Sequence, residues 1–213
     1  ATIFSNKEIK ATFGEERSKW KAAAEAEYAS LSDTLMKISS EEARSMVKKG
    51  LLEILPAKIV WSLKAADSNG LRRRKCRWTI CGNFASRLAN AEFGTQAIDA
   101  ASTRAMLAIA AGLGLPLAVG DVPTAFLKAD LPVAEGEKSY AMEAPAIMIE
   151  MGIAAPGDVF LVRRALYGLR QSPRIWGSHR DQVLRGLEWK DEETGAVYHL
   201  QQNKADESLW NVH

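Results

Sequence analysis

Apolar residues recur at helical spacing at Trp20, Ala24, Tyr28, Leu31 and Leu35, which predicts an amphipathic helix of about five turns. Thr12 with Glu15 predicts a capping box ahead of it. Ser39 to Gly50 predicts a shorter helix closed by its glycine. The period then drops to two. Lys58 to Lys64 and Arg73 to Cys81 alternate as strands, and Asp67-Ser68-Asn69-Gly70 is a turn cluster between them, so the pair reads as a hairpin. Ser102 or Thr103 caps a predicted helix reaching Gly112 or Gly114, with Met106, Ile109, Ala110 and Leu113 inward. The stretch Leu117 to Leu131, LAVGDVPTAFLKADL, predicts a buried strand with Asp121 at its tip. Further on, Lys138 to Glu143 and Val159 to Arg163 predict strands, with a helical turn at Ala146 to Gly152 between them. Ser172 and Pro173 open a helix with the stripe Ile175, Trp176, His179, Val183 and Leu187. Ala196 to Gln201 and Ser208 to Val212 are two last strands.

Composition narrows the class. The 213 residues are 47% hydrophobic and 25% charged, enough for one large domain or two small lobes. The formal net charge is only +2, so nucleic-acid binding would rest on local clusters such as Arg72, Arg73, Arg74, Lys75 and Arg77. Cys76 and Cys81 are five positions apart, on opposite faces of a strand, which disfavours a disulfide or a metal pair. Free thiols fit a reducing, intracellular setting. The three histidines are scattered and give no zinc pattern. The longest uncharged run, Ala105 to Gly120, is interrupted by Gly112, Gly114 and Pro116 and is shorter than the roughly 20 apolar residues of a membrane span. No Gly-rich phosphate loop or nucleophile elbow occurs. The chain starts with Ala and stops at Asn211-Val212-His213 without a signal peptide, as a piece of a longer polyprotein would.

Two features carry candidate chemistry, each with a plainer alternative. A carboxylate at the end of an apolar strand needs a partner, because desolvating a charge is costly. Asp121 therefore reads either as a metal or polar-site ligand or as the cap of the following turn. The Arg72 to Arg77 run reads either as a solvated face or as a phosphate grip. Lys75 and Arg77 share one face of the predicted strand, so two cations would project together.

The residues Asp121, Val122, Ala125, Phe126 and Leu127 fit D-V-x-x-A-F-L, and Leu166 to Trp176 (LYGLRQSPRIW) fit L-Y-G-L-[KR]-Q-[SA]-P-R-x-W. In that order and spacing they resemble the reverse transcriptase of copia-type retrotransposons. Trp20, Ala23, Glu27, Ser30 and Leu31 match that family's opening helix. Val60 to Lys64 with Lys75, Arg77, Trp78, Thr79 and Gly82 match its fingers hairpin, and Asp206, Leu209 and Trp210 a later segment. Pro123 and Lys128-Ala129 depart from the pattern.

The resemblance implies an α+β fold: a reverse-transcriptase-like fingers hairpin and a partial palm sheet with packed helices. It divides the chain into a helical lead-in (1–55), fingers (56–115) and partial palm (116–213). It implies RNA-directed DNA synthesis by two-metal chemistry. Asp121 and the Val122 carbonyl would bind Mg²⁺ or Mn²⁺, with the other two acids in a Y-x-D-D motif past the last residue. One carboxylate is too few for two ions, so the isolated piece is expected not to polymerise. Lys75, Arg77, Phe126, Gly168 and Gln171 would meet the incoming nucleotide, with Phe126 under the sugar and Tyr167 packed below. Arg72, Arg73, Arg74 and Arg174 would meet nucleic acid. The implied partners are an RNA template, a DNA primer, deoxynucleoside triphosphates and adjacent integrase and RNase H domains, with no membrane; the implied location is a cytoplasmic particle or the nucleus. The competing reading is a non-catalytic nucleic-acid-binding remnant.

Overall fold

The computed structural model describes residues 1–86, 97–133 and 137–213. A strand β1 (Thr2–Phe4) leads into helices α1 (Asn6–Lys10) and α2 (Gly14–Ser30), then β2 (Leu35–Ile38) and α3 (Ser40–Lys48). Strands β3 (Leu52–Leu55), β4 (Ala57–Ala66) and β5 (Arg72–Ile80) follow, then α4 (Ala100–Leu113). The second half holds β6 (Ser139–Glu143), α5 (Ala146–Glu150), β7 (Val159–Val162), α6 (Ser172–Arg185), β8 (Glu188–Lys190), β9 (Val197–Gln202) and β10 (Trp210–Val212).

The described residues form three sheets. One is ordered β1-β4-β5, the second β2-β7-β6-β3, the third β10-β9-β8. The expected α+β class and the β4–β5 hairpin are present, with Trp61 facing Cys76 and Val60 facing Arg77 across the hairpin. In the four-stranded sheet β3 runs parallel to β6, and β7 runs antiparallel to β6 and β2. The first 55 residues, expected as a helical lead-in, also supply β1, β2 and β3.

Aromatic rings join the first two sheets. Trp20, Trp61 and Trp78 are among the largest fully buried side chains. Trp20 of α2 meets Trp61 of β4 edge-on at 5.8 Å. Trp78 of β5 meets Phe160 of β7 at 5.3 Å and 73°, and Tyr28 of α2 contacts both. Edge-to-face pairs of this kind each add about 0.5–1.5 kcal/mol beyond area burial. The third sheet packs on α6, where Arg185 stacks over Trp210.

Several expectations are corrected. The strand before Asp121 does not form: residues 115–122 are without helix or strand, and Leu117 and Val119 are 64% and 100% exposed. Gly114, Pro116 and Gly120 punctuate that run, and among the described residues no strand pairs with it. Helix α4 is capped by Asp99, whose carboxylate accepts from the Ala101 and Ser102 amides, not by Ser102 or Thr103. Of its expected inward residues only Ala110 is buried; Met106, Ile109 and Leu113 are exposed. Residues 87–96 of the polar stretch before it lie outside the described residues.

Helix α2 ends at Ser30, so Leu35 sits on β2. The Thr12 hydroxyl donates back to the Ile9 carbonyl instead of forming a box with Glu15; Ser5 with Glu8 makes the capping box, on α1. Ser172 is not the N-cap of α6, since Gln171 precedes the helix in that role. The Ser172 hydroxyl is fully buried and bonds both the amide and the carbonyl of Leu166, which closes the loop between β7 and α6. Val183 and Leu187 on the expected α6 stripe remain exposed.

That loop docks on the end of β5. The Ile80 amide donates to the Tyr167 carbonyl at 3.0 Å. Gly168 has φ +99, and a Cβ there would lie 1.9 Å from the Ile80 carbonyl oxygen. A Cβ on Gly82 would lie 2.5 Å from the Gly168 carbonyl oxygen. Two glycines from distant motifs therefore let two backbones touch. Gly168→Ala is expected to destabilise the chain by at least ~3 kcal/mol. Gly114→Ala, at φ +64 in open space, is expected to cost only ~1 kcal/mol. Denaturant midpoints measure both, and equal costs would contradict the contact.

Candidate nucleotide and nucleic-acid site

Alternation on β5 sorts its cations onto two faces. Arg73, Lys75 and Arg77 fall on one, and Arg72, Arg74, Cys76 and Trp78 on the other. Arg74 is committed to α2. Its guanidinium makes a two-pronged ion pair with Glu16, with Nε 2.8 Å from Oε1, and stacks 5.6 Å over Trp20. Arg72 is exposed and its Nε reaches back to the Lys64 carbonyl. Arg73 is exposed, while Lys75 and Arg77 are half-buried. Burial, with Arg77 and Lys64 beside it, pushes the Lys75 ammonium below the ordinary lysine value. Clustered cations that are partly desolvated gain most from an anionic ligand.

Among the described residues β5 is an edge strand, and two of its outward amides are covered. The Trp78 amide donates to Glu27 Oε1 of α2 at 3.1 Å, and the Ile80 amide to Tyr167. Burial raises the Glu27 carboxyl above the usual carboxylate range, against the pull of the Trp78 amide, Lys75 and Arg77. The sequence presents α2 as a packing helix, and Glu27 only as one matched letter of its motif. A glutamate on the buried side of an amphipathic helix, one turn before Leu31, was the available signal.

The two central motifs meet through backbone pairing. The Leu131 amide donates to the Arg163 carbonyl and the Ala165 amide to the Ala129 carbonyl, both at 2.9 Å. Phe126, in a short 3-10 turn over Ala125–Lys128, thereby reaches Tyr167, with ring centroids 5.8 Å apart. The Arg77 guanidinium lies 5.9 Å from the centre of the same tyrosine ring. Hairpin, acid-bearing stretch and glycine loop converge on Tyr167, whose hydroxyl is pushed up by burial and by the Glu27 charge.

The other expected site residues fall as follows. The space beside Gly168 where a side chain would stand is filled by β5, so this glycine permits a close loop–strand contact. Gln171 is half-buried at the N-cap position of α6. Arg174 is exposed on the first turn of α6. Asp121 and Val122 are exposed in the irregular segment before Phe126. Between acid and ring, Thr124 holds φ +53, rare for a β-branched residue. Among the described residues no group of three or more His, Cys, Asp or Glu could hold a metal ion, and no helix is long and apolar enough to cross a membrane.

Arg77, Tyr167 and Phe126 thus lie together, with Phe126 five residues after Asp121. Over residues 45–207 the sequence matches the family described as reverse transcriptase (RNA-dependent DNA polymerase), and the chain belongs to that family, in its copia-type branch. It is similar to the retrovirus-related Pol polyprotein from transposon TNT 1-94 of Nicotiana tabacum, 32% identical over 164 residues, which cover 71% of this chain. That alignment spans 12% of the length of the tobacco polyprotein. No solved structure matches.

Glu27 gives a signed pH dependence. Its folded-state pKa lies above the unfolded value, so the folded chain binds the extra proton and the group subtracts stability as pH rises through that interval. Glu27→Gln keeps an acceptor for the Trp78 amide without the charge. Relative to wild type, its thermal stability is expected to be more favourable at pH 7 than at pH 4. A difference that is flat between those pH values would contradict a desolvated carboxylate.

Proposed function

We propose that this chain forms the fingers hairpin and part of the palm of an RNA-directed DNA polymerase that adds deoxynucleotides to a primer. In this reading β4 and β5 are the fingers hairpin and the β2-β7-β6-β3 sheet is palm. The observation that carries it is the meeting of three sequence-distant motifs at Arg77, Tyr167 and Phe126. Lys75 and Arg77 bind the triphosphate. Phe126 lies under the sugar and selects deoxyribose by excluding a 2′-hydroxyl. Arg72 and Arg73, free of acidic partners on the described surface, meet template phosphates, as does Arg174 on α6. Arg74 is left out of that set because Glu16 and Trp20 already hold it. Gln171 lies beside the nucleotide.

Asp121, with the Val122 carbonyl, is the residue proposed to bind Mg²⁺ or Mn²⁺, the ions that stabilise the attacking and leaving oxygens in two-metal transfer. The described residues do not by themselves fit such a centre, since they converge no second and third acid beside Asp121. The 213 residues alone are accordingly expected not to extend a primer. The proposed setting is a polyprotein that also carries integrase and RNase H segments, acting on an RNA template, a DNA primer and deoxynucleoside triphosphates.

A gene product continuing past His213 is the test. Primer extension is expected to fall at least about a hundredfold in Asp121→Asn; equal extension would overturn the metal role. For the 213-residue chain, primer–template affinity is expected to fall steeply with salt. Arg73→Ala is expected to reduce the log–log slope by about 1 and Arg74→Ala to leave it unchanged. Salt-independent binding would overturn the phosphate contacts. Binding together with an inactive longer product would favour the non-catalytic remnant.

A further inference from the structure

Tyr167 has no assigned part in the reaction, yet its ring is the one that both halves of the proposed nucleotide site touch. Its main chain is fixed before any ligand arrives. Its carbonyl accepts from the Ile80 amide, and Gly168 after it lies backbone to backbone against β5. The side chain is half-buried. Arg77 stands 5.9 Å from the ring centre, within the range in which a guanidinium is held by an aromatic face. Phe126 packs on the same ring at 5.8 Å, tilted by 55°, within the range of attractive aromatic pairs. A phenol is neutral near pH 7, and burial with the Glu27 charge pushes its titration higher still, so the face offered to Arg77 carries no competing charge.

We propose that Tyr167 is a positioning residue that couples the phosphate-side cation, Arg77, to the sugar-side ring, Phe126, so that triphosphate affinity and deoxyribose selectivity depend on one shared ring. The inference rests on the nucleotide-site reading above. Arg77 is a long, rotamer-rich side chain whose ordering costs affinity unless it is held beforehand. The tyrosine face holds it. The same ring backs Phe126, and a backed ring resists displacement by a 2′-hydroxyl where an unbacked one would yield. A purely structural Tyr167 would move stability alone. A coupling Tyr167 moves two ligand readouts together, and a change at Arg77 is felt at the sugar.

The test uses the 213-residue chain with dATP and ATP as probes and reads equilibrium dissociation constants. The wild-type chain is expected to prefer dATP. Tyr167→Leu is expected to raise the dATP Kd about tenfold and to shrink the ATP-to-dATP ratio. Tyr167→Phe, which keeps the ring, is expected to restore both. Arg77→Ala, remote from the sugar, is expected to shrink the ratio as well as weaken dATP. That cross-effect decides the matter should Tyr167→Leu fail to fold. If wild type prefers dATP but neither Tyr167→Leu nor Arg77→Ala alters the ratio, the coupling is overturned and the nucleotide site stands. If wild type binds neither triphosphate, the nucleotide-site reading and the coupling fall together.

Discussion

The seam where the loop after β7 lies against the last residues of β5 is the contact on which the rest of the arrangement depends. An edge strand leaves a row of amides facing outward, and each needs a partner. Here the Ile80 amide finds the Tyr167 carbonyl and the Trp78 amide finds the Glu27 carboxylate. Backbone can approach that closely only because Gly82 and Gly168 carry no Cβ. The consequence is spatial. A hairpin bearing cations and a loop bearing a tyrosine are fixed side by side, and the stretch containing Phe126 is sewn to the same loop through residues 129–131 and 163–165.

The core supports that seam from below. Trp78 reaches from β5 to Phe160 on β7, and Tyr28 of α2 touches both rings. The hairpin is thus tied to the four-stranded sheet by ring packing beneath the polar surface. Alternation along β5 does the sorting. Cys76 and Trp78 face the core, Arg74 is spent on Glu16 and Trp20, and Arg73, Lys75 and Arg77 share the opposite face.

Much of this was readable from residue patterns, and the failures have physical reasons. The hairpin followed from period-two alternation around Asp67-Ser68-Asn69-Gly70, a local signal. The helix after Gln171 followed from a proline at its start. The strand before Asp121 did not form, because strand formation needs a neighbour and apolar composition does not report one. Helix α4 misled for a related reason: its Met106, Ile109 and Leu113 are apolar yet exposed, so hydrophobicity marked a face without saying what covers it. β1, β2 and β3 are three or four residues long, too short to show a period. At the site, the motifs did not report that Arg74 is already paired, that Gly168 lies against the β5 backbone, or that Glu27 caps an amide across 51 positions.

Native-state amide hydrogen exchange at Ile80 reads the seam most directly. Ile80 N–H points away from β4, so without the loop it would exchange as a surface amide. Bonded to Tyr167 and enclosed by Gly168, it is expected to exchange only with unfolding of the hairpin, as slowly as the amides between β4 and β5. Exchange at the rate of an open edge amide would contradict the account.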